Sequence, residues 1–183
     1  MLLSSGRLNS LYLTYFSKPS QDRAIYRAID QLRPTKLMEI GVGSGQRALR
    51  MIGLASKLRP DQQIEYVGID EFEARTQGGG LMLREAYKLL RPSGARLVLL
   101  PGQPGEALAP RANELKGLEL VVVAADQDRA SLTRAWFYLP RTLAPTAVVL
   151  AEPTEAGGEV RALAPGELDR LARVRTQQRR AAA

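Results

Sequence analysis

The stretch Leu37-Met38-Glu39-Ile40 runs directly into Gly41-Val42-Gly43-Ser44-Gly45, and few folds accommodate glycines at three alternate positions straight after an apolar run. Such a run ended by clustered glycines predicts a buried strand entering a tight turn. At that turn, side-chain-free positions supply any positive φ the chain needs and let another molecule approach the backbone. Leu49, Ile52, Ala55 and Leu58 then recur at helical spacing, Arg59-Pro60 stops the helix, and Ile64 to Asp70 reads as a second strand. Strand, glycine turn, helix and strand make a right-handed parallel crossover.

The alternation continues. Helices are predicted over Leu81 to Leu90, Gly105 to Leu115 and Ser131 to Leu143, and strands over Arg96 to Leu100, Leu118 to Ala124 and Ala147 to Ala151. Ahead of the first strand, Ala24, Ile25, Ala28, Ile29 and Leu32 mark a short amphipathic helix with Ser20 as its N-cap and Pro34 as its stop. The pattern defines a doubly wound α/β fold with a mostly parallel sheet of about five strands covered on both faces. No convincing strand pair follows Ala151, so a terminal antiparallel hairpin is not expected. At 183 residues the chain fits one domain, with an N-terminal arm over 1–20, a core over 21–153 and a C-terminal extension over 154–183. Gly78-Gly79-Gly80 predict a mobile loop after the second strand, a charged helix is expected from about Glu167, and Ala181 to Ala183 should fray.

Composition narrows the chemistry. Cysteine and histidine are both absent, which removes disulfides, thiolate and imidazole metal ligands, cysteine nucleophiles and histidine bases. No metal is expected. Twenty-six basic against 19 acidic residues give a net charge of +7, which favours anionic partners without specifying one. The local excess lies at Arg170, Arg173, Arg175, Arg179 and Arg180; contact with nucleic acid is a candidate role for that end, and a solvated basic face is the favoured reading. Met1-Leu2-Leu3 and Leu11-Tyr12-Leu13 are too short, and too interrupted by Arg7 and Asn9, for a secretory or membrane-spanning segment, so a soluble cytoplasmic protein is expected.

Three nucleotide-binding patterns can be tested on the glycine turn. A phosphate-cradling loop needs Gly-Lys followed by Ser or Thr, and Gly45-Gln46-Arg47 lacks it. A dinucleotide fingerprint needs its third glycine where Gln46 stands. What fits is an acidic residue just before G-x-G-x-G, here Glu39, followed by an acidic residue at the end of the next strand, here Asp70. In these motifs the chain resembles the class I S-adenosylmethionine-dependent methyltransferases over roughly residues 21 to 153.

The resemblance implies S-adenosylmethionine as a small-molecule cofactor, held by Glu39, Gly41, Gly43, Ser44, Gly45, Asp70, Glu71 and Gln103. Asp70 would accept hydrogen bonds from the ribose hydroxyls with Glu71 beside it, and Glu39 would hold the turn or the methionine amino end through water. Gln103 stands where the family often has an acidic residue that meets the adenine amino group. Of a common Asp-x-Asp pair after the fourth strand only Asp126 is present, and the Pro-Pro signature of the amino-methylating nucleic-acid enzymes is missing from Ala124-Ala125-Asp126-Gln127. No catalytic residue is identified; Asp126 and Glu152, at the C-terminal ends of strands four and five, are the candidates to act as base or to orient an acceptor. Trp136, Phe137 and Tyr138 read as helix-to-sheet packing rather than a base-stacking platform. The leading reading is a methyltransferase whose acceptor and oligomeric state the sequence does not name. The alternatives are a catalytically inactive methyltransferase-like binding or interaction protein, and a nucleic-acid-binding module that uses the basic C-terminal end.

Overall fold

Alternation along the strands decides where the two cores sit. The computed structural model describes residues 22–75, 80–153, 159–164 and 166–173. In chain order the elements are α1 (Arg23–Leu32), β1 (Lys36–Ile40), α2 (Gln46–Leu58), β2 (Glu65–Asp70), α3 (Leu83–Leu90), β3 (Arg96–Pro101), α4 (Pro104–Leu108), β4 (Leu118–Val123), α5 (Arg129–Tyr138), β5 (Leu143–Ala151) and β6 (Arg161–Ala162), followed by α6 over 166–173. Leu37, Tyr66, Leu99, Leu120, Val122 and Leu150 share one core with α1, α2 and α3. Their strand neighbours Met38, Ile40, Val67, Ile69, Leu100, Val121, Val123 and Val149 share the opposite core with α4 and α5, where Trp136 and Leu139 are buried. Burying one Leu or Ile side chain is worth roughly 1.5–3 kcal/mol. Strands apolar on both faces can therefore only lie inside a helix-covered sheet.

The strands form one sheet in the order β3-β2-β1-β4-β5-β6, parallel except for β6, which runs antiparallel to β5. The chain winds outward from β1 through β2 to β3, then returns to place β4 on the other side of β1. Neighbouring β1 and β4 thus form the switch point, and a crevice opens beyond their C-terminal ends. The five parallel strands expected from the sequence all form. The structure adds β6, which the sequence reading missed because two paired residues carry no periodicity.

Two helices are shorter than expected. The segment read as a helix to Leu115 is helical only to Leu108 and then turns through residues 110–114. Pro110 explains this, since it lacks the N–H for the next helical bond and its ring collides with the carbonyl four residues back. The helix read to Leu143 ends at Tyr138, passes through a 3-10 turn at Leu139–Arg141, and hands over to β5 at Leu143. The buried hydroxyl of Thr142 donates to the Leu139 carbonyl at 2.7 Å and closes that end. The register between β4 and β5 shifts between Leu118, opposite Leu143, and Leu120, opposite Val148. Pro145 falls in this irregular stretch, where its missing N–H breaks no regular ladder.

Asp22 is the N-cap residue of α1. Ser20, the arm over 1–20, Gly78, Gly79, Arg175, Arg179, Arg180 and Ala181 to Ala183 lie outside the described residues. Arg170 and Arg173 lie on α6 and are exposed. Trp136 is a core residue, as expected, while Phe137 and Tyr138 pack edge to face on a half-buried surface beneath the Arg141 guanidinium. Among the described residues no helix is long and apolar enough to cross a membrane.

Candidate functional site

The glycine turn after β1 has Gly41, Gly43 and Gly45 at φ +92°, +56° and +72°. The three glycines have different jobs. A Cβ on Gly41 would lie 2.5 Å from Gln127 Nε2 and 2.6 Å from Ala124 Cβ, so this position lets the segment after β4 close against the turn. A Cβ on Gly45 would lie 2.7 Å from Leu89 Cδ2, so Gly45 serves packing against α3. Only Gly43 has nothing within 4 Å of such an atom. Of the three, it is the one whose α-carbon faces open space, while its N–H and carbonyl are taken by Asp70 and the Leu81 N–H.

Asp70, at the end of β2, is 2% exposed. Its Oδ2 accepts the Gly43 N–H at 2.8 Å, which joins the second acidic motif to the turn across a gap of 27 residues. Its Oδ1 accepts the Phe72 N–H at 3.0 Å and holds Phe72 in the left-handed region at φ +51°. A third donor completes the shell, because Arg75 Nη2 also reaches Oδ2 at 2.8 Å while Arg75 Nη1 bonds Asp126 Oδ2 at 3.0 Å. Burial opposes the charge on Arg75, yet Asp70 and then Asp126 hold its pKa above the ordinary guanidinium value.

Glu39 lies behind the turn. It is fully buried on the α1–α2 side of the sheet, where Arg47 Nε donates to Oε1 at 2.5 Å and the Tyr66 hydroxyl donates to Oε2. Gly68, opposite Glu39 in the β1–β2 register, lets Leu99, Val42 and Tyr66 close over the strand, because a Cβ there would lie 2.9 Å from Leu99 Cδ2 and Val42 Cγ2 and 3.1 Å from the Tyr66 ring. Burial pushes the Glu39 carboxyl up, with Arg47 working against it. Arg47 also bonds Glu152 Oε1, donates to the Gly41 carbonyl at 3.2 Å and stands 3.8 Å from Asp22 Oδ1. Glu152 Oε2 accepts the Ala125 N–H at 3.1 Å. One guanidinium thus ties the ends of β1 and β5 to the start of α1.

Between these groups lies a cleft of about 390 Å³ bordered by Gly41, Val42, Gly43, Ser44, Gln46, Arg47 and Arg50 on the β1 side, Ala124, Ala125, Asp126 and Glu152 across from them, and Asp22. Of the residues expected at a cofactor, Gly41, Gly43 and Ser44 line this cleft, Asp70 adjoins it beneath Arg75, and Glu39 and Gly45 stand outside it. Glu71 opens a 3-10 turn at Phe72–Ala74 and is half-buried, and Gln103 caps α4 by accepting the Glu106 and Ala107 N–H groups on its backbone carbonyl; neither borders the cleft. Asp126 and Glu152, the candidates for acceptor chemistry, both do. Among the described residues no group of three or more acidic side chains is arranged to hold a metal ion.

Asp22, Arg47 and Arg75 are the site residues that sequence reasoning missed. Arg47 had a signal: a carboxylate inside the apolar run of β1 must find a cation when buried. Asp22 had none, because its contact with Arg47 spans 25 positions and depends on how α1 lies against α2.

Asp22 makes the folding stability depend on pH. It is 4% exposed and accepts the Tyr26 hydroxyl at 3.3 Å, and burial pushes its pKa up despite the neighbouring Arg47. A carboxyl with a higher pKa in the folded state stabilises the fold below its unfolded value, near 4, and loses that contribution as pH rises through the folded value. Asp22→Asn does not titrate, so it should gain stability relative to the wild type as pH is raised from about 4 to about 7.5. Unfolding midpoints of the two proteins across that range are the check, and a pH-independent difference contradicts it.

The arrangement of strands and turn is that of the class I S-adenosylmethionine-dependent methyltransferase fold. A TehB-like S-adenosylmethionine-dependent methyltransferase from Corynebacterium glutamicum superimposes with a TM-score of 0.52 at 17% identity, covering 92% of this chain and 78% of that one. A methyltransferase of the same cofactor dependence from Agrobacterium tumefaciens gives 0.52 at 12% identity, with 86% and 50% covered. The glycopeptide N-methyltransferase MtfA, solved with sinefungin, gives 0.50 at 14% identity, with 81% and 66% covered. The chain therefore spans from half to under four fifths of the length of these proteins. Neither a family model nor a curated protein sequence matches it.

Proposed function

We propose that the chain binds S-adenosylmethionine at the end of β1 and transfers its methyl group to an acceptor that enters beside Asp126 and Glu152. One observation carries the reading. The Gly43 N–H to Asp70 bond brings the turn, with its open α-carbon face, and the carboxylate that suits two ribose hydroxyls to one crevice at the switch point. The bound cofactor would supply a methyl group on a sulfonium centre, and the protein's task is alignment. Gly43 leaves room for that ligand, and Asp70 accepts its hydroxyls once Arg75 moves aside. Arg47 fixes the Gly41 carbonyl, and Glu152 fixes the Ala125 N–H, on opposite walls of the cleft.

Titration calorimetry with S-adenosylmethionine and S-adenosylhomocysteine tests the reading, and absence of heat at millimolar ligand from folded protein removes it. A cofactor-binding protein without turnover is the second reading. Glu152 already accepts from Arg47 and Ala125, and Asp126 from Arg75 and Gln127, so both carboxylates on the acceptor side are engaged by the protein's own donors. Transfer of labelled methyl groups to components of a cell extract excludes that second reading.

A further inference from the structure

We propose that Arg75 competes with the cofactor for Asp70, so that the crevice is self-inhibited and opens only when the guanidinium leaves. The inference rests on the cofactor reading above and concerns regulation of the same site. Asp70 has a side chain only 1% exposed, and its inner lone pairs are taken by the backbone N–H groups of Gly43 and Phe72. What remains to meet a pair of hydroxyls is the side that Arg75 covers at 2.8 Å. An ion pair at that distance is charge-assisted and strong, and a neutral hydroxyl does not displace it without cost.

The closed position is also imperfect, which makes it reversible. Arg75 Nε is buried with no hydrogen-bond partner, and a buried donor left unmade raises the free energy of the state that contains it. Phe72, three residues earlier, sits in a left-handed conformation that a bulky residue rarely adopts. Asp126, with its side chain 57% exposed, holds the other arm of the guanidinium at the rim of the cleft. When Arg75 releases Asp70 it can stay paired with Asp126, so the cation moves a short distance toward solvent rather than losing both partners. The apparent affinity for cofactor is then the intrinsic affinity reduced by the fraction of molecules in which Asp70 is uncovered.

The test uses the full chain and S-adenosylhomocysteine as probe, with calorimetry on the wild type, Arg75→Met and Arg75→Lys, each checked for cooperative thermal unfolding. Arg75→Met keeps the apolar length and removes the charge, and it should bind at least tenfold more tightly than the wild type. Arg75→Lys keeps the charge without the planar fork and should fall between the two. Equal or weaker binding by Arg75→Met overturns the competition while leaving the cofactor reading in place. No binding by any of the three folded proteins removes the cofactor reading and the competition with it. Should the methionine variant fail to fold, the Nε–H resonance of Arg75, assigned by its loss in Arg75→Lys, serves instead. Saturation of the wild type with the probe should shift it, and an unmoved resonance in a saturated sample overturns the proposal.

Discussion

Replacing Arg47 with methionine is expected to lower the folding stability by about 3–5 kcal/mol, because it leaves Glu39 fully buried without its cation. Methionine fills much of the arginine's apolar stem, so the loss reports the stranded carboxylate rather than a cavity. A urea titration at neutral pH should show the midpoint falling with little change in slope. The defect should shrink as pH falls: without Arg47 the Glu39 carboxyl titrates at a still higher pH in the folded state, and protonation removes the buried charge. Adding Glu39→Gln should restore much of the lost stability at neutral pH, since the residue left behind is then neutral and still within reach of the Tyr66 hydroxyl. A double variant no more stable than Arg47→Met would show that the arginine acts through its other contacts, with Glu152 and the Gly41 carbonyl.

Gly43→Asp should separate binding from folding. The position has φ +56°, which aspartate tolerates better than most residues, and nothing lies within 4 Å of the added Cβ, so the stability cost should be about 1 kcal/mol. Cofactor affinity should fall at least a hundredfold, the loss of roughly two charge-assisted hydrogen bonds, because the new carboxylate fills the open face of the turn and repels Asp70. Calorimetry with S-adenosylhomocysteine and a thermal melt of the same sample read the two effects. Unchanged binding in a folded variant would mean that the ligand does not use this crevice. Any contact made through Arg170 and Arg173 on α6 should be indifferent to the change.

What was legible in the sequence was what depends on neighbours along the chain. The apolar run of β1, its glycines and the acidic end of β2 are each local patterns, and the parallel crossover that joins them has a fixed hand, so Gly43 and Asp70 could be placed together before any coordinates. Helical spacing runs on past Pro110 and Pro140, whereas α4 stops at Leu108 and α5 at Tyr138, so the prolines outweigh the periodicity. The roles of Gly41 and Gly45 were not legible, since the same motif letter covers one position packed on Gln127, another packed on Leu89 and a third left open. The bridge from Arg75 to Asp126 joins residues 51 apart on different strand ends, and only the assembled sheet order brings them together.

The order of the strands also sorts the site by how often each half comes undone. β1 and β4 lie in the middle of the sheet, flanked by strands on both sides, and Leu37, Met38, Ile40, Leu120, Val121 and Val122 have no exposed surface. Their amide protons should exchange with solvent only when the whole molecule opens, so the glycine turn hangs from the slowest-exchanging part of the protein. Arg75 belongs to the segment that leaves the sheet after β2, held by a short 3-10 turn and side-chain bonds rather than by a strand ladder. Deuterium uptake would then run on two clocks a few ångströms apart, with the cradle silent while its occupant comes and goes.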